Sequence, residues 1–163
     1  MKVLKELARK ALLFCSCGFI YYMIECLYRG YSHLSMFILA GLLSVFCIDT
    51  PNNIYSFDLD YRLQVLISST LCTFGEGICG LIVNKWLGLH IWDYSHLKGT
   101  FFWGQCNIIF CCCWVLIVGL IGIFYCDAFN YYIFKIDPCP YYKINGKVFY
   151  QMKERRDSGM DGD

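Results

Sequence analysis

Charged side chains inside otherwise apolar stretches are the residues of this sequence best placed to do chemistry. Glu25 and Arg29 stand four positions apart, so on one helix their side chains share a face. Glu76 is the single charge within a third apolar stretch, on a helical face that also carries Cys72 and Asn84. A charged group in hydrocarbon is costly unless it is paired or hydrated, so such residues commonly mark a substrate or ion pathway.

Two interpretations of these charges stay open at the level of sequence. In the first, they line a solute or proton path together with nearby polar and aromatic residues. That predicted path consists of Glu25, Arg29, Ser32, His33, Glu76, Asn84, Trp92 and Asp93. In the second, Arg29 pairs with one of the two glutamates and forms a structural clamp between the first and third helices.

No cofactor, metal site or catalytic group is predicted. The cysteines number 12 and, with one exception, fall inside or at the ends of apolar runs, where a thiol behaves as a small hydrophobe.

The stretch Gly75–Gly80 matches the dinucleotide pattern G-x-G-x-x-G, but it lies inside an apolar span, so its small residues are expected to let helices approach closely. Phosphate-loop and hydrolase motifs are absent from the sequence, and we expect a protein that is not an enzyme. Acid–base chemistry at the lipid surface is a third, weaker option.

The composition indicates which elements must position these residues. Of the 163 residues, 58% are hydrophobic and 17% are charged, whereas soluble domains carry about 25% charged residues. So few polar residues cannot coat a soluble fold, and a net charge of +1 without a basic stripe excludes a nucleic-acid binder. We predict an all-α integral membrane protein with four transmembrane helices. The predicted spans cover about 11–28, 32–48, 63–84 and 105–126.

The predicted organisation is a membrane domain, 1–134, followed by a cytoplasmic tail, 135–163, with a disordered end. The second span is short and is expected to need either residues 31–33 or a locally thinned bilayer to complete its crossing. The segment 86–103 is rich in Trp, Tyr and Phe, which favours an interfacial or re-entrant position between the third and fourth spans. Lys and Arg cluster before the first span and after the last, which predicts that both termini are cytoplasmic. The cluster before the first span comprises Lys2, Lys5, Arg9 and Lys10.

Several motifs of the chain resemble those of the bacterial ABC-transporter type IV family of permease-like membrane proteins. They are Tyr28–Phe37 (Y-R-G-Y-S-H-L-S-M-F), Gly80–Asn84 (G-L-I-V-N), Trp92–Ser95 (W-D-Y-S) and Gly104-Gln105. A Glu in the third span belongs to the same pattern, and the resemblance runs from about Phe19 to Trp114.

This resemblance implies a permease-like subunit in a bacterial inner membrane. Because the chain has no phosphate loop, ATP would be hydrolysed by a separate ATPase subunit. Four spans are few for a complete pathway, so we expect a homo-oligomer or a hetero-complex in the lipid bilayer. The alternative function is a non-transporting scaffold or regulator that recruits partners through the interfacial segment 86–103 and the basic tail.

Overall fold

The protein is described here by a computed structural model covering residues 2–155, which is mostly helical. Four of its helices are long and apolar enough to cross a membrane. They are α1 (Lys2–Arg29), α2 (Leu34–Ile54), α3 (Tyr61–Trp86) and α4 (Ile108–Ile133). The predicted disordered end of the tail lies mostly outside the described residues.

The predicted spans stopped at charged residues, whereas the helices continue through them. α2 extends past residue 48 to Ile54, and α4 extends past residue 126 to Ile133. The carboxylates at these points are buried, because Asp49 is 0% exposed and Asp127 is 5% exposed. The second span is therefore lengthened at its C-terminal end. The predicted N-terminal extension through residues 31–33 is wrong, because His33 is the N-cap of α2 and accepts a hydrogen bond from the Ser35 amide at 3.2 Å.

The all-α prediction is also incomplete, because the chain forms two antiparallel hairpins. The first pairs β1 (Thr100–Phe101) with β2 (Cys106–Asn107), immediately before α4. The second pairs β3 (Tyr141–Ile144) with β4 (Lys147–Gln151). Its turn residues, Asn145 and Gly146, have φ of 52° and 76°, and an Asn-Gly pair with two positive φ angles is typical of a tight hairpin turn.

The second hairpin packs against the helices and is not a separate tail. Tyr142 of β3 is fully buried, and its hydroxyl donates to Asp127 of α4 at 2.7 Å. Its ring meets Tyr61 and Phe124 edge-on, at centroid distances of 5.3 and 4.6 Å. At the surface, Lys143 pairs with Asp58 and lowers the pKa of that carboxyl. The predicted boundary after residue 134 therefore separates no structural unit.

At several contacts between helices, a glycine allows the two backbones to approach closely. A Cβ on Gly18 of α1 would lie 2.6 Å from the Phe37 carbonyl oxygen of α2, so only glycine permits this approach. On α4, a Cβ on Gly119 would meet Val65 of α3 at 3.2 Å, which agrees with the helix-packing role predicted for small residues.

Two of the three glycines of α3 have a different neighbour from the predicted helix. A Cβ on Gly77 would lie 3.0 Å from the Cys106 sulfur, and one on Gly80 would lie 2.7 Å from the Gln105 side-chain oxygen. Gly75 of the same stretch does face a helix, because a Cβ there would collide with the Leu43 side chain of α2. The small residues of α3 thus admit α2, as predicted, and also the irregular segment that precedes α4.

Apolar side chains cover the outward faces of the bundle. Leu120 and Ile121 of α4 are 69% and 63% exposed, and Leu66 of α3 is 57% exposed. Polar side chains instead fill the contacts between elements. The buried polar residues are Arg9, Asp49, Asn52, Gln64, Ser68, Ser69, Glu76, Asn84, Gln105, Asn107, Asp127 and Asn130. This distribution is the one that a hydrocarbon environment favours.

The docking of the second hairpin can be tested at Tyr142. Tyr142→Phe removes the hydroxyl that donates to Asp127 and leaves a buried carboxylate with one fewer donor. We expect the free energy of unfolding in detergent to fall by about 1–3 kcal/mol. The adjacent control, Tyr141→Phe, loses a hydroxyl bond to Asp58 that is exposed, and should change stability by about 0.5 kcal/mol or less. Equal effects of the two substitutions would contradict the docking.

Candidate functional site: a cavity around Glu76

A cavity of about 360 Å³ lies where α1 ends, between α1, α3, α4 and the loop before α4. We refer to it as the Glu76 cavity. Four of the predicted path residues line it: Glu25, Arg29, Glu76 and Trp92. Tertiary structure therefore brings half of the predicted set together around one space.

Glu25 and Arg29 form an ion pair within α1, as their spacing predicts. The second Glu25 oxygen accepts a hydrogen bond from the Ser32 hydroxyl, so both of its oxygens are engaged. The Arg29 guanidinium also lies over the Tyr31 ring, 5.5 Å from its centroid. Since Arg29 is paired inside its own helix, the predicted clamp between the first and third helices is wrong.

Glu76 is held by neutral donors. The Trp114 indole N–H donates to Oε2 at 2.8 Å, and the Tyr94 hydroxyl donates to Oε1 at 3.2 Å. The residue is 7% exposed, and Cys72 and Asn84 on the same helical face are also buried, which confirms the predicted face. Among the described residues no cation pairs with this carboxylate.

Sequence reasoning missed both donors to Glu76. Trp114 lies in the most apolar run of the chain, where an aromatic residue is ordinarily a packing residue. Tyr94 belongs to the W-D-Y-S motif, and that motif was the only signal that pointed to it.

The loop before α4 positions Tyr94. Its amide donates to the Gly104 carbonyl at 2.8 Å, and its ring stacks on Phe110 with 4.4 Å between centroids. Gly104 has φ of +90°, and a Cβ there would lie 2.7 Å from an Asp93 carboxylate oxygen, so only glycine fits this turn. Burial, with the nearby Glu76 carboxylate, raises the pKa of Tyr94 well above its ordinary value, so its hydroxyl stays a proton donor.

Asn84 supports the loop and does not line the cavity, contrary to the prediction. Its side-chain amide donates to Gln105 Oε1 at 2.7 Å, and its Oδ1 accepts from the Ile91 amide at 2.7 Å. The Trp92 indole donates to the Gln105 carbonyl at 3.2 Å. This buried network fixes the end of α3 to the segment that carries Trp92 and Tyr94.

His33 and Asp93 also lie outside the cavity that four of the other predicted path residues line. Both are exposed. Asp93 accepts hydrogen bonds from the Ser95 amide at 2.8 Å and from the Ser95 hydroxyl at 2.5 Å. These bonds lower the pKa of Asp93, and they assign the carboxylate to a surface turn.

A second buried polar cluster lies at the opposite end of the bundle and was not predicted. Arg9 of α1 is 3% exposed and donates to Asp49 of α2 at 2.8 Å and to Asn130 of α4 at 2.6 Å. Nearby, Asp127 accepts from Asn52 at 2.5 Å. The sequence placed these residues just outside the predicted spans, where charged groups are ordinarily hydrated.

Comparison with family models, with curated proteins and with solved structures finds no match for this chain. Within residues 2–155, no group of three or more His, Cys, Asp or Glu side chains is arranged to hold a metal ion. The chemistry of the Glu76 cavity therefore has to be judged from its own residues, which offer charge, hydrogen bonding and aromatic surface.

The opposite cluster predicts a large loss of stability when its cation is removed. Arg9→Met leaves Asp49 buried without its ion-pair partner, and we expect the free energy of unfolding to fall by about 3–5 kcal/mol. Lys10→Met is the matched control, because its side chain is 35% exposed and its contact with Glu6 is at 3.8 Å. Denaturation in detergent micelles measures the free energy of unfolding of both variants. Similar effects of the two variants would show that the Arg9–Asp49 pair does not hold these helices together.

Proposed function

We propose that the chain is a multi-pass, permease-like membrane subunit whose Glu76 cavity binds a solute or proton during passage. The observation that carries this proposal is the Glu76 carboxylate, which is buried in a membrane-length helix, lines a cavity and has only neutral donors. Glu76 differs in this respect from Asp49, which faces Arg9 at 2.8 Å, and it resembles Asp127, whose donors Asn52 and Tyr142 are also neutral.

The arrangement of the bundle supports a membrane location with both termini on one side. The start of α1 contacts the end of α4 through Arg9 and Asn130, so the basic N-terminus and the second hairpin share one end. We propose that this end is cytoplasmic, because positive residues are retained there during insertion. The Glu76 cavity then opens toward the outer side of a bacterial inner membrane.

The resemblance to the ABC-transporter type IV family supports the same function. Three of its motif regions contribute to the cavity or to its frame, through Arg29, Trp92 and Gln105. We propose accordingly that a separate ATPase subunit drives the transport, and that the chain works as a homo-oligomer or in a hetero-complex.

The binding role of Glu76 can be tested with Glu76→Gln in lipid nanodiscs. A panel of small cations, anions and neutral polar solutes is screened for compounds that raise the melting temperature. At least one compound should stabilise the wild-type protein, by about 2.7 kcal/mol at a hundred times its Kd, and should not stabilise the Glu76→Gln variant. Glutamine keeps the size of the side chain but removes the charge.

The matched control is Asp93→Asn, because Asp93 lies at the same end of the bundle but outside the cavity. This variant should respond to the same compound as the wild-type protein. If no compound separates Glu76→Gln from the wild-type protein, the cavity is not a solute site. A Glu76→Gln protein that fails to insert would identify Glu76 as a structural residue.

A second candidate function is a membrane scaffold, favoured by the exposed aromatic residues of the loop before α4. Trp86 and Trp103 are 80% and 76% exposed, and Leu87 is 56% exposed. Side chains of this kind suit a membrane interface or a partner surface. We propose that the segment 86–103 lies at the outer interface in either case.

Purification of the intact complex from its native membrane separates the two candidates. A permease subunit should co-purify with a protein that contains a phosphate-loop ATPase, whereas a scaffold should co-purify with a soluble regulator or a lipid enzyme. The double variant Trp86→Ala/Trp103→Ala should leave an ATPase partner bound and should release a partner recruited by the loop. Loss of the ATPase from this variant would contradict a surface role for the segment.

A further inference from the structure

The charge balance of the Glu76 cavity indicates the kind of solute it can hold. Three charged residues line it: Glu25, Arg29 and Glu76. Arg29 is neutralised by Glu25, whose second oxygen is taken by Ser32. With Glu76 in its ionised form, the lining therefore carries one uncompensated negative charge. A single positive charge on the solute would balance it.

Aromatic side chains form a large part of the cavity wall, next to aliphatic ones. Six of its lining residues carry aromatic rings: Tyr21, Tyr28, Trp92, Tyr94, Phe110 and Trp114. They come from α1, from the loop before α4 and from α4, so they surround Glu76 from several directions. Aromatic rings attract cations through their electron-rich faces, and they also pack against apolar groups.

Other classes of ligand fit these walls less well. A metal cation needs several oxygen ligands, whereas the four carboxylate oxygens of Glu25 and Glu76 already accept hydrogen bonds. An anion would face the unbalanced Glu76 charge, because the Arg29 guanidinium is occupied by Glu25. A neutral solute would leave that charge without a partner.

We propose that the Glu76 cavity takes a small organic cation of the ammonium class. The cationic head lies against Glu76, and the apolar body packs against the aromatic walls. The volume of about 360 Å³ is at the small end of ligand pockets, which measure about 300–1,000 Å³. This assignment rests on the proposed function of the same cavity and adds the chemical class of its solute.

The test uses the full chain in nanodiscs and follows intrinsic fluorescence, because Trp92 and Trp114 line the cavity. The cationic probes are choline and the larger benzyltrimethylammonium. The neutral control is 3,3-dimethylbutan-1-ol, in which carbon replaces the choline nitrogen, and the anionic control is 3,3-dimethylbutanoate. At least one cation should bind saturably, about tenfold or more tighter than either control.

Two variants test whether the cationic head of the probe binds at Glu76. Glu76→Gln should weaken cation binding by about tenfold or more, while Asp93→Asn should leave it unchanged. Cation binding of equal strength in Glu76→Gln would overturn the proposal. The proposal would also be overturned if neither cation bound saturably, or if the neutral or anionic control bound more tightly than both cations.

The comparison of choline with its neutral isostere needs only the wild-type protein, so it remains informative if Glu76→Gln does not fold. If a neutral or anionic compound binds and depends on Glu76, the ammonium class is wrong but the solute site stands. If no compound of any class depends on Glu76, the proposed function itself fails.

Discussion

The apolar outward faces of the four helices leave buried polar groups with only one another as hydrogen-bond partners. In hydrocarbon an unsatisfied polar group is costly, so each buried amide, hydroxyl or carboxylate has to be matched within the fold. The structure meets this constraint for most buried polar groups with short chains of specific contacts, while Asp49 Oδ2 and Gln64 Oε1 have no hydrogen-bond partner among the described residues. Asn84, for example, joins Gln105 and the Ile91 amide, and in doing so ties the loop to the end of α3.

The same constraint has different results at the two ends of the bundle. At one end, the Asp49 carboxylate is balanced by Arg9, and the contact joins three helices through Asn130. At the other end, Glu25 is balanced by Arg29, but Glu76 receives only neutral donors and borders a cavity. The first end also keeps groups without a full set of partners, because among the described residues Asp49 Oδ2 accepts no hydrogen bond and Asp127 receives only the neutral donors Asn52 and Tyr142. At the second end no cation among the described residues pairs with Glu76, and the ion pair of Glu25 with Arg29 beside the same cavity makes this end the candidate binding site.

Much of the helical framework could be predicted from the sequence, because an apolar run of membrane length needs no knowledge of its neighbours. The ends of the helices were predicted less accurately than their central parts. Asp49 and Asp127 mark the ends of the predicted spans, although their partners lie far away in sequence, at Arg9 and Tyr142. A hydrogen bond between distant residues leaves no local pattern. The hairpin that supplies Tyr142 has a local signal in its Asn145-Gly146 turn, but that signal does not show that the hairpin packs against α4.

By itself the sequence determined the four apolar helices, the shared face of Glu25 and Arg29, and the face that carries Glu76, because each follows from the residue pattern along one helix. Only the tertiary structure decided which polar residues meet. It placed Tyr94 and Trp114 on the Glu76 carboxylate, left Asp93 at the surface, and kept Arg29 away from Glu76. The physical reason is that these contacts depend on how a loop folds back between helices, which helical periodicity does not encode.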